Sequence, residues 1–147
     1  MYEDLEVKES IIPGAGKGLF VNRDVKKGER IVEYLGEIIS WKECDTRAER
    51  DEGGYVFYIN QNKCIDAFHM PEALARFAND ARGLIKEKGI KNNCQYEVYK
   101  NSGWITTTKN IKAGSELLVS YGAAYWRDIR HNIKLEKLKR AKENIGK

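Results

Sequence analysis

The sequence is poor in the features that define several large classes of protein. It has two prolines among 147 residues, and no apolar run approaches the roughly 20 residues that a membrane-spanning helix needs. Its amino terminus, MYEDLEVKES, is acidic and lacks the basic start and apolar stretch of a secretory signal. We therefore expect an intracellular protein with no membrane partner.

Residues that commonly bind metals are few and scattered. Cys44, Cys64 and Cys94 lie 20 and 30 residues apart and form no CxxC pair of the kind that zinc sites and redox centres use. The two histidines, His69 and His131, are equally isolated. We predict reduced, mostly buried thiols and no metal site.

The composition is typical of one globular domain with a basic end. Apolar residues make up 41% of the chain and charged residues 33%, and 147 residues suffice for one compact core. The net charge of +4 is uneven, because residues 127–147 contain eight Lys or Arg and three Asp or Glu. We predict a domain over residues 1–126 and a basic helix or tail over 127–147. That tail would contact nucleic acid, an acidic protein surface or only water.

Short β-type patterns dominate the chain. Period-two or continuous apolar runs separated by Gly or Asn predict strands at LEVKES, GLFVNR, RIVEYLGEII, YVFYIN, KCIDAF, CQYEVYK, WITTTKN and ELLVSY. Helical patterns are fewer. They occur at WKECDTRAER, which Ser40 would cap, at PEALARFA, with Pro71 in its first turn, and from about Tyr125 onward. The polar stretch NDARGLIKEKGIKNN reads as an exposed loop. The sequence therefore predicts a mainly β fold with short helices.

One glycine-rich stretch, GAGKGLF at residues 14–20, invites comparison with nucleotide-binding loops. A Walker loop needs Ser or Thr after its lysine, whereas Lys17 is followed by Gly18. The dinucleotide fingerprint also fails, because the segment leads into a predicted strand and not a helix. Two interpretations remain: a plain hairpin turn, or a turn that lets the backbone approach a ligand.

Five further fragments carry most of the tyrosines and several polar residues. Each alone is typical of aromatic core packing. They are EYLGEI with Tyr34 and Gly36, YVFYINQNKCIDAF with Tyr55, ARFAND with Arg76, Phe77, Asn79 and Asp80 followed by NNCQYEVY with Tyr96, and ELLVSYG with Glu116 and Tyr121.

In this order, the fragments resemble the SET-domain family of protein lysine methyltransferases, from about Val7 to Trp126. The RFxN segment and the terminal ELxxxYG carry most of the resemblance. It implies a SET-type fold of small β-sheets, in which the carboxy-terminal segment is threaded under a preceding loop as a pseudoknot, here with a terminal helix.

The resemblance also implies a cofactor and the residues that contact it. S-adenosylmethionine would be the methyl donor, and a target lysine would enter a narrow channel from the opposite face. Tyr121 takes the position of the catalytic tyrosine, with Tyr34 and Tyr96 as further channel walls. The cofactor would contact Lys17, Gly18, Leu19, Tyr55, Arg76, Phe77, Asn79 and Asp80, with Tyr125 or Trp126 covering its adenine ring.

The chain departs from the family pattern in three places. Asp80 and Ala81 follow Asn79 where the family usually has His and Ser, and Asn92 stands where a proline usually precedes Asn93 and Cys94. The zinc-binding cysteine cluster that follows many histone-directed members is missing. The basic tail is our candidate for closing the lysine channel in its place, although a solvated tail that fixes nothing is an equal alternative.

Two functions follow from these residues. The first is a protein-lysine N-methyltransferase acting on histone tails in the nucleus or on chromatin. The second is a catalytically weak module of the same fold that binds chromatin or another acidic partner. Nucleic-acid binding as the main function depends on the basic tail alone.

Overall fold

The computed structural model describes residues 2–50, 55–60, 62–70, 72–82, 89–121 and 138. Within these ranges the chain forms nine strands, one α-helix and one turn of 3₁₀-helix. The strands are β1 (Leu5–Glu9), β2 (Lys17–Val21), β3 (Arg30–Glu33), β4 (Glu37–Ile39), β5 (Val56–Asn60), β6 (Lys63–Asp66), β7 (Cys94–Tyr99), β8 (Ser102–Thr107) and β9 (Ser115–Glu116). The helix α1 spans Trp41–Glu49, and the 3₁₀-helix spans Leu74–Phe77.

The strands form three small antiparallel sheets. Their orders are β1-β2-β9, β3-β8-β7 and β4-β6-β5. Side chains from all three sheets meet in one main core, with Leu19, Ile105 and Leu117 fully buried. The predicted mainly β fold of small sheets is therefore confirmed. Within the described ranges, no helix is long and apolar enough to cross a membrane.

The predicted strand RIVEYLGEII is interrupted near its middle. Tyr34 to Gly36 leave the strand conformation, so β3 joins the sheet with β8 while β4 joins the sheet with β6. A Cβ added to Gly36 would lie 2.6 Å from the backbone oxygen of Asp66. Glycine at this position therefore allows the chain to pass close to β6 as it changes sheets.

The two predicted helices within the described ranges had different outcomes. Helix α1 begins as expected after Ser40, whose Oγ accepts a hydrogen bond from the backbone N–H of Glu43 at 3.1 Å. The helix predicted over PEALARFA is wrong in length: it is one turn of 3₁₀-helix between extended residues Ala73 and Ala78. The chain must leave the helix there, because Asn79 pairs with the carboxy-terminal segment. Pro71 and the predicted tail helix lie outside the described residues, except for Leu138, which is helical.

The carboxy-terminal segment passes between two parts of the chain that flank the 80–92 connection. The N–H of Val119 donates to the carbonyl of Asn79 at 2.8 Å, and the carbonyl of Leu118 accepts from the N–H groups of Asn93 and Cys94, both at 2.9 Å. ELLVSY is therefore a strand only at β9 and then makes single parallel bridges to each neighbour. These contacts agree with the crossing expected for a pseudoknot.

All three cysteines are free and buried, as predicted. Cys44 of α1 and Cys64 of β6 pack with Ile39 and Val56 in a small satellite cluster, whereas Cys94 lies in the main core beside Val119. Burial raises the pKa of the Cys94 thiol to about 12 and is the largest cause that raises that of Cys64 to about 11. These thiols are therefore protonated at neutral pH.

Candidate active site

An open cleft of about 910 Å³ is lined by residues from several of the strands and from the 3₁₀-helix. Eight residues that the sequence nominated line this one cleft, from both the catalytic and the cofactor sets: Tyr34, Tyr96 and Tyr121, with Lys17, Tyr55, Arg76, Phe77 and Asn79. The sequence analysis did not nominate the other lining residues, Ala15, Val56, Phe57, Tyr58, Phe68 and Val98. The alternating pattern of YVFYIN was the available signal for Phe57.

Four aromatic rings form one wall of the cleft. Phe57 and Tyr96 meet edge to face with centroids 5.1 Å apart, and the Tyr34 centroid is 5.4 Å from Phe57 and 6.1 Å from Tyr96. Tyr96 and Tyr121 are stacked at 6.3 Å with an interplanar angle of 19°. These separations are in the favourable range for aromatic pairs. The wall is therefore a packed, apolar surface that carries tyrosine hydroxyls.

The hydroxyl of Tyr34 is engaged with the backbone. Tyr34 is 5% exposed, and its hydroxyl donates to the carbonyl of Tyr55 at 2.8 Å. This bond ties the segment between β3 and β4 to the residue that precedes β5. Tyr34 therefore contributes its ring to the wall and fixes the position of Tyr55.

Tyr121 is held at both ends by the same short segment. Its hydroxyl donates to the carbonyl of Ala78, and its backbone N–H donates to the carboxylate of Asp80 at 2.8 Å. Since Ala78 and Asp80 flank Asn79, the ring spans the segment that the carboxy terminus crosses. The hydroxyl of Tyr121 is thereby fixed relative to the cleft lining.

The other side of the cleft is formed by backbone and amide groups around Lys17. Gly14 and Gly16 have φ angles of +78° and +75°, which favour glycine. The side-chain amide of Asn79 donates to the carbonyl of Lys17 at 2.9 Å and lies 3.3 Å from a carboxylate oxygen of Glu116. A Cβ at Gly18 would collide with that same carboxylate. The 14–20 segment therefore packs its backbone tightly against Asn79 and Glu116.

Glu116 anchors this region although the sequence analysis gave it no role in the site. Its side chain is almost completely buried and accepts hydrogen bonds from the Ser10 hydroxyl at 2.8 Å and the N–H of Ile11 at 2.8 Å. The glutamate thereby joins the amino-terminal sheet to the crossing segment and places Asn79 at the cleft.

Arg76 supplies an unsatisfied donor at the cleft. Its guanidinium carbon lies 4.2 Å from the centroid of the Tyr55 ring, and its Nη1 donates to the carbonyls of Ala67 at 3.0 Å and Phe68 at 3.1 Å. Its Nε is buried and has no hydrogen-bond partner among the described residues. Arg76 also lines the cleft, and a guanidinium binds carboxylates through charge-assisted hydrogen bonds. The arrangement fits a ligand with a carboxylate, such as the methionine part of S-adenosylmethionine.

Three nominated residues within the described ranges are not among those that line the cleft. The Leu19 side chain is completely buried in the core, and its carbonyl accepts from the N–H of Leu117 at 2.7 Å. Gly18 contacts Glu116 and Asn79 from behind the lining. The Asp80 side chain binds the N–H of Tyr121. Any cofactor contact of these three residues would therefore involve their backbone. Tyr125 and Trp126, the two candidates for covering the adenine ring, lie outside the described residues.

The chain belongs to the SET-domain family, whose model matches residues 16–122. It is 41% identical over 122 residues to the histone-lysine N-methyltransferase ASHH1 of Arabidopsis thaliana, and this match covers 77% of this chain and 23% of that protein. It is 27% identical over 128 residues to the N-lysine methyltransferase KMT5A of Xenopus tropicalis, covering 79% of this chain and 36% of that protein.

A solved structure has the same fold. A humanized mutant of the Chaetomium thermophilum Polycomb Repressive Complex 2, bound to an inhibitor, matches 80% of this chain and 15% of that chain with a TM-score of 0.65 and 29% identity. The chain thus spans about a third or less of the length of the relatives and of the structure that it matches. The family and the names of these relatives support protein-lysine methylation as the activity class.

Proposed function

We propose that this protein is an S-adenosylmethionine-dependent protein-lysine N-methyltransferase, with residues 1–126 as the methyltransferase domain and 127–147 as a basic segment that closes it. One observation carries the proposal: a single cleft joins the Lys17–Asn79 side, which fits the cofactor, to the aromatic wall that ends at Tyr121. The names of the relatives favour histone tails as substrates and a nuclear location.

The proposed reaction requires a neutral lysine amine. The reference pKa of lysine is about 10.4, so presenting the deprotonated amine at pH 7 costs roughly 4 to 5 kcal/mol. The packed rings of Tyr34, Phe57 and Tyr96 offer the amine little solvation, and loss of water disfavours the ammonium relative to the neutral amine. S-adenosylmethionine, when bound, supplies the methyl group on a positively charged sulfonium, which favours the neutral amine further.

Tyr121 would orient that amine. Its hydroxyl proton is directed to the carbonyl of Ala78. A tyrosine oxygen that donates can also accept, so it can receive a hydrogen bond from an amine N–H and turn the nitrogen lone pair towards the methyl carbon. The contacts with Ala78 and Asp80 hold the hydroxyl in place before substrate arrives, and such positioning removes several kcal/mol from a barrier.

The test compares the wild-type protein with Tyr121→Phe in transfer of a labelled methyl group to core histones, read by mass spectrometry at lysine resolution. Removing the hydroxyl leaves the ring stacked on Tyr96, so we expect cofactor affinity by calorimetry to persist while kcat falls by about 100-fold. Tyr99→Phe is the matched control, because Tyr99 packs under Arg30 and is not part of the cleft lining.

Three outcomes separate the alternatives. Equal transfer by the wild type and Tyr121→Phe would contradict the role of Tyr121. Cofactor binding without transfer to any core histone would show that the substrate belongs to another class of protein. Absence of both binding and transfer would contradict the enzyme and favour a module of this fold that binds chromatin or another acidic partner.

A further inference from the structure

Two of the positions at which the 80–92 connection departs from the SET pattern, Asp80 and Asn92, contact each other. The side-chain amide of Asn92 donates to Asp80 Oδ1 at 2.9 Å, and Asn92 Oδ1 accepts from the backbone N–H of Ala81 at 2.8 Å. Both functional groups of the asparagine are thus used on Asp80 and its neighbour. A proline at position 92 would offer none of these contacts, so the two departures are complementary. We call these two side chains the Asp80–Asn92 pair.

Asp80 of this pair also binds the backbone of Tyr121. Asp80 Oδ2 accepts from the backbone N–H of Tyr121 at 2.8 Å, while two residues earlier the N–H of Val119 donates to the carbonyl of Asn79 at 2.8 Å. Along the crossing segment, the N–H of Val119 therefore binds a backbone carbonyl, that of Asn79, and the N–H of Tyr121 binds the carboxylate of Asp80. The carboxylate extends the contact between the two segments by two residues, up to the tyrosine itself.

The charge of Asp80 makes this arrangement stiff. Asp80 is 5% exposed, and its oxygens accept from the N–H of Arg82 at 2.8 Å in addition to Asn92 and Tyr121. A buried carboxylate is stable only when it is hydrogen-bonded, and bonds to a charged acceptor are stronger than neutral ones. Since Oδ1 binds Asn92 and Oδ2 binds Tyr121, any change at Asn92 that turns the carboxylate also moves Tyr121.

We propose that the Asp80–Asn92 pair positions Tyr121 in the cleft. Both are positioning residues, because their side chains act through the tyrosine backbone and are not part of the cleft lining. The inference rests on the proposed function, in which Tyr121 orients the lysine amine. A displacement of about 1 Å at a reacting group is enough to lower a rate about 100-fold.

Exchanging the two side chains isolates the pair. Asn92→Asp places a second carboxylate against Asp80 Oδ1 but keeps an acceptor for the N–H of Ala81. Asp80→Asn places an amide N–H₂ against at least one of the converging N–H donors. The double variant Asp80→Asn/Asn92→Asp restores a donor opposite an acceptor and retains an oxygen for Tyr121, and it gives up only the bond from the N–H of Arg82. Asp24→Asn is the matched control, because Asp24 accepts a backbone N–H from Ala113 at 2.9 Å and does not line the cleft.

The first readout needs no activity. Amide hydrogen exchange of the full chain, measured by NMR, reports the protection of the Tyr121 N–H. We expect either single change to speed its exchange roughly 10- to 100-fold, the loss expected for a hydrogen bond to a charged group. The double variant should recover most of the protection, and Asp24→Asn should leave it unchanged. Continued protection in Asn92→Asp, or a double variant no better than the singles, would overturn the proposal.

The second readout separates positioning from general stability. We expect Asn92→Asp to lower kcat for methyl transfer by about 10-fold or more, with the Kd for S-adenosylmethionine within about twofold, because only Tyr121 moves. A parallel loss of kcat, cofactor affinity and melting temperature would show a merely structural role and overturn the proposal. If wild-type protein transfers no methyl group while the exchange pattern holds, the pair still positions Tyr121 and the proposed function alone fails.

Discussion

Asp66 and Asp80 are both buried carboxylates, but they hold different parts of the molecule together. Asp66 is 1% exposed and accepts from the guanidinium of Arg47 at 2.8 Å, with a second bond from the N–H of Phe68 at 2.9 Å. The 5% exposed Asp80 accepts from the N–H groups of Arg82 and Tyr121 at 2.8 Å and from the side-chain amide of Asn92 at 2.9 Å. Asp66 thus binds a guanidinium, whereas Asp80 receives N–H donors from three segments of the chain.

The difference corresponds to what each carboxylate holds together. Arg47 extends from α1 to Glu37 on β4 and to Asp66 on β6, so its charges fasten the helix to a sheet. Asp80 joins the two ends of the 80–92 connection to Tyr121 at the cleft. Ion pairs from one guanidinium serve attachment, whereas several directional N–H donors fix an orientation. Removing a partner of Asp66 should accordingly lower the stability of the fold, whereas removing a partner of Asp80 should change the position of Tyr121.

The largest expected effect is the loss of the Arg47 cation. Arg47→Met leaves Asp66 buried without its counter-charge, and breaking a buried pair in this way costs about 3 to 5 kcal/mol. Urea unfolding followed by circular dichroism should show that decrease in the free energy of unfolding. The double variant Arg47→Met/Asp66→Asn removes both charges and keeps an acceptor for the N–H of Phe68. We expect it to recover more than half of the loss, and a double variant as unstable as Arg47→Met would contradict the ion-pair account.

The cysteines distinguish the two regions within one experiment. Cys64 packs beside α1 and Cys94 beside the crossing segment. With a pKa of about 12, the Cys94 thiol should react with iodoacetamide at about pH 7.5 roughly 1,000-fold more slowly than an exposed thiol. Arg47→Met should speed alkylation of Cys64, and Asn92→Asp that of Cys94, as measured by mass spectrometry of peptides. Equal acceleration at both sites in either variant would show that the regions open together.

The smallest effect concerns Glu37, the exposed partner of Arg47. The hydrogen bond from Arg47 lowers the pKa of Glu37 below its ordinary value of 4.5. A carboxyl whose folded pKa is lowered adds stability above its unfolded pKa, and this is lost as the pH falls through the folded value. We expect the melting temperature of Glu37→Gln to fall less than that of the wild type between about pH 6 and pH 3. Parallel curves for the two proteins would show that the contact contributes nothing.

Local patterns in the sequence predicted most of the secondary structure. Period-two runs and the Ser40 cap depend on neighbouring residues, so α1 and most strands were found near the predicted segments, whereas RIVEYLGEII is two strands and ELLVSY is a strand only at Glu116. The change of sheet at Gly36 could not be read in this way, because its cause is the carbonyl of Asp66, 30 residues further along the chain. The short 3₁₀-helix has a similar origin: Asn79 pairs with Leu118, and no local signal reports that.

The sequence predicted which residues form much of the candidate site, but not how they are arranged. The family motifs named eight residues that line the cleft, and their roles stay predictions. Phe57 was missed because a strand aromatic reads as core, and the Tyr34 hydroxyl could not be assigned to the carbonyl of Tyr55 from spacing. The Asp80–Asn92 pair appeared in the sequence only as two separate departures from a pattern.

The crossing of the carboxy-terminal segment also sets an order of folding. The bonds from Ser10 and Ile11 to Glu116 span 106 and 105 residues, and closing such long loops makes folding slow. Several pairings within the sheets are local, such as those of β1 with β2 and β7 with β8. We therefore expect the cleft to assemble late, since neither Asn79 nor Tyr121 has its partners until the crossing segment has docked. A partly folded chain can contain most of its β-structure while still lacking a site.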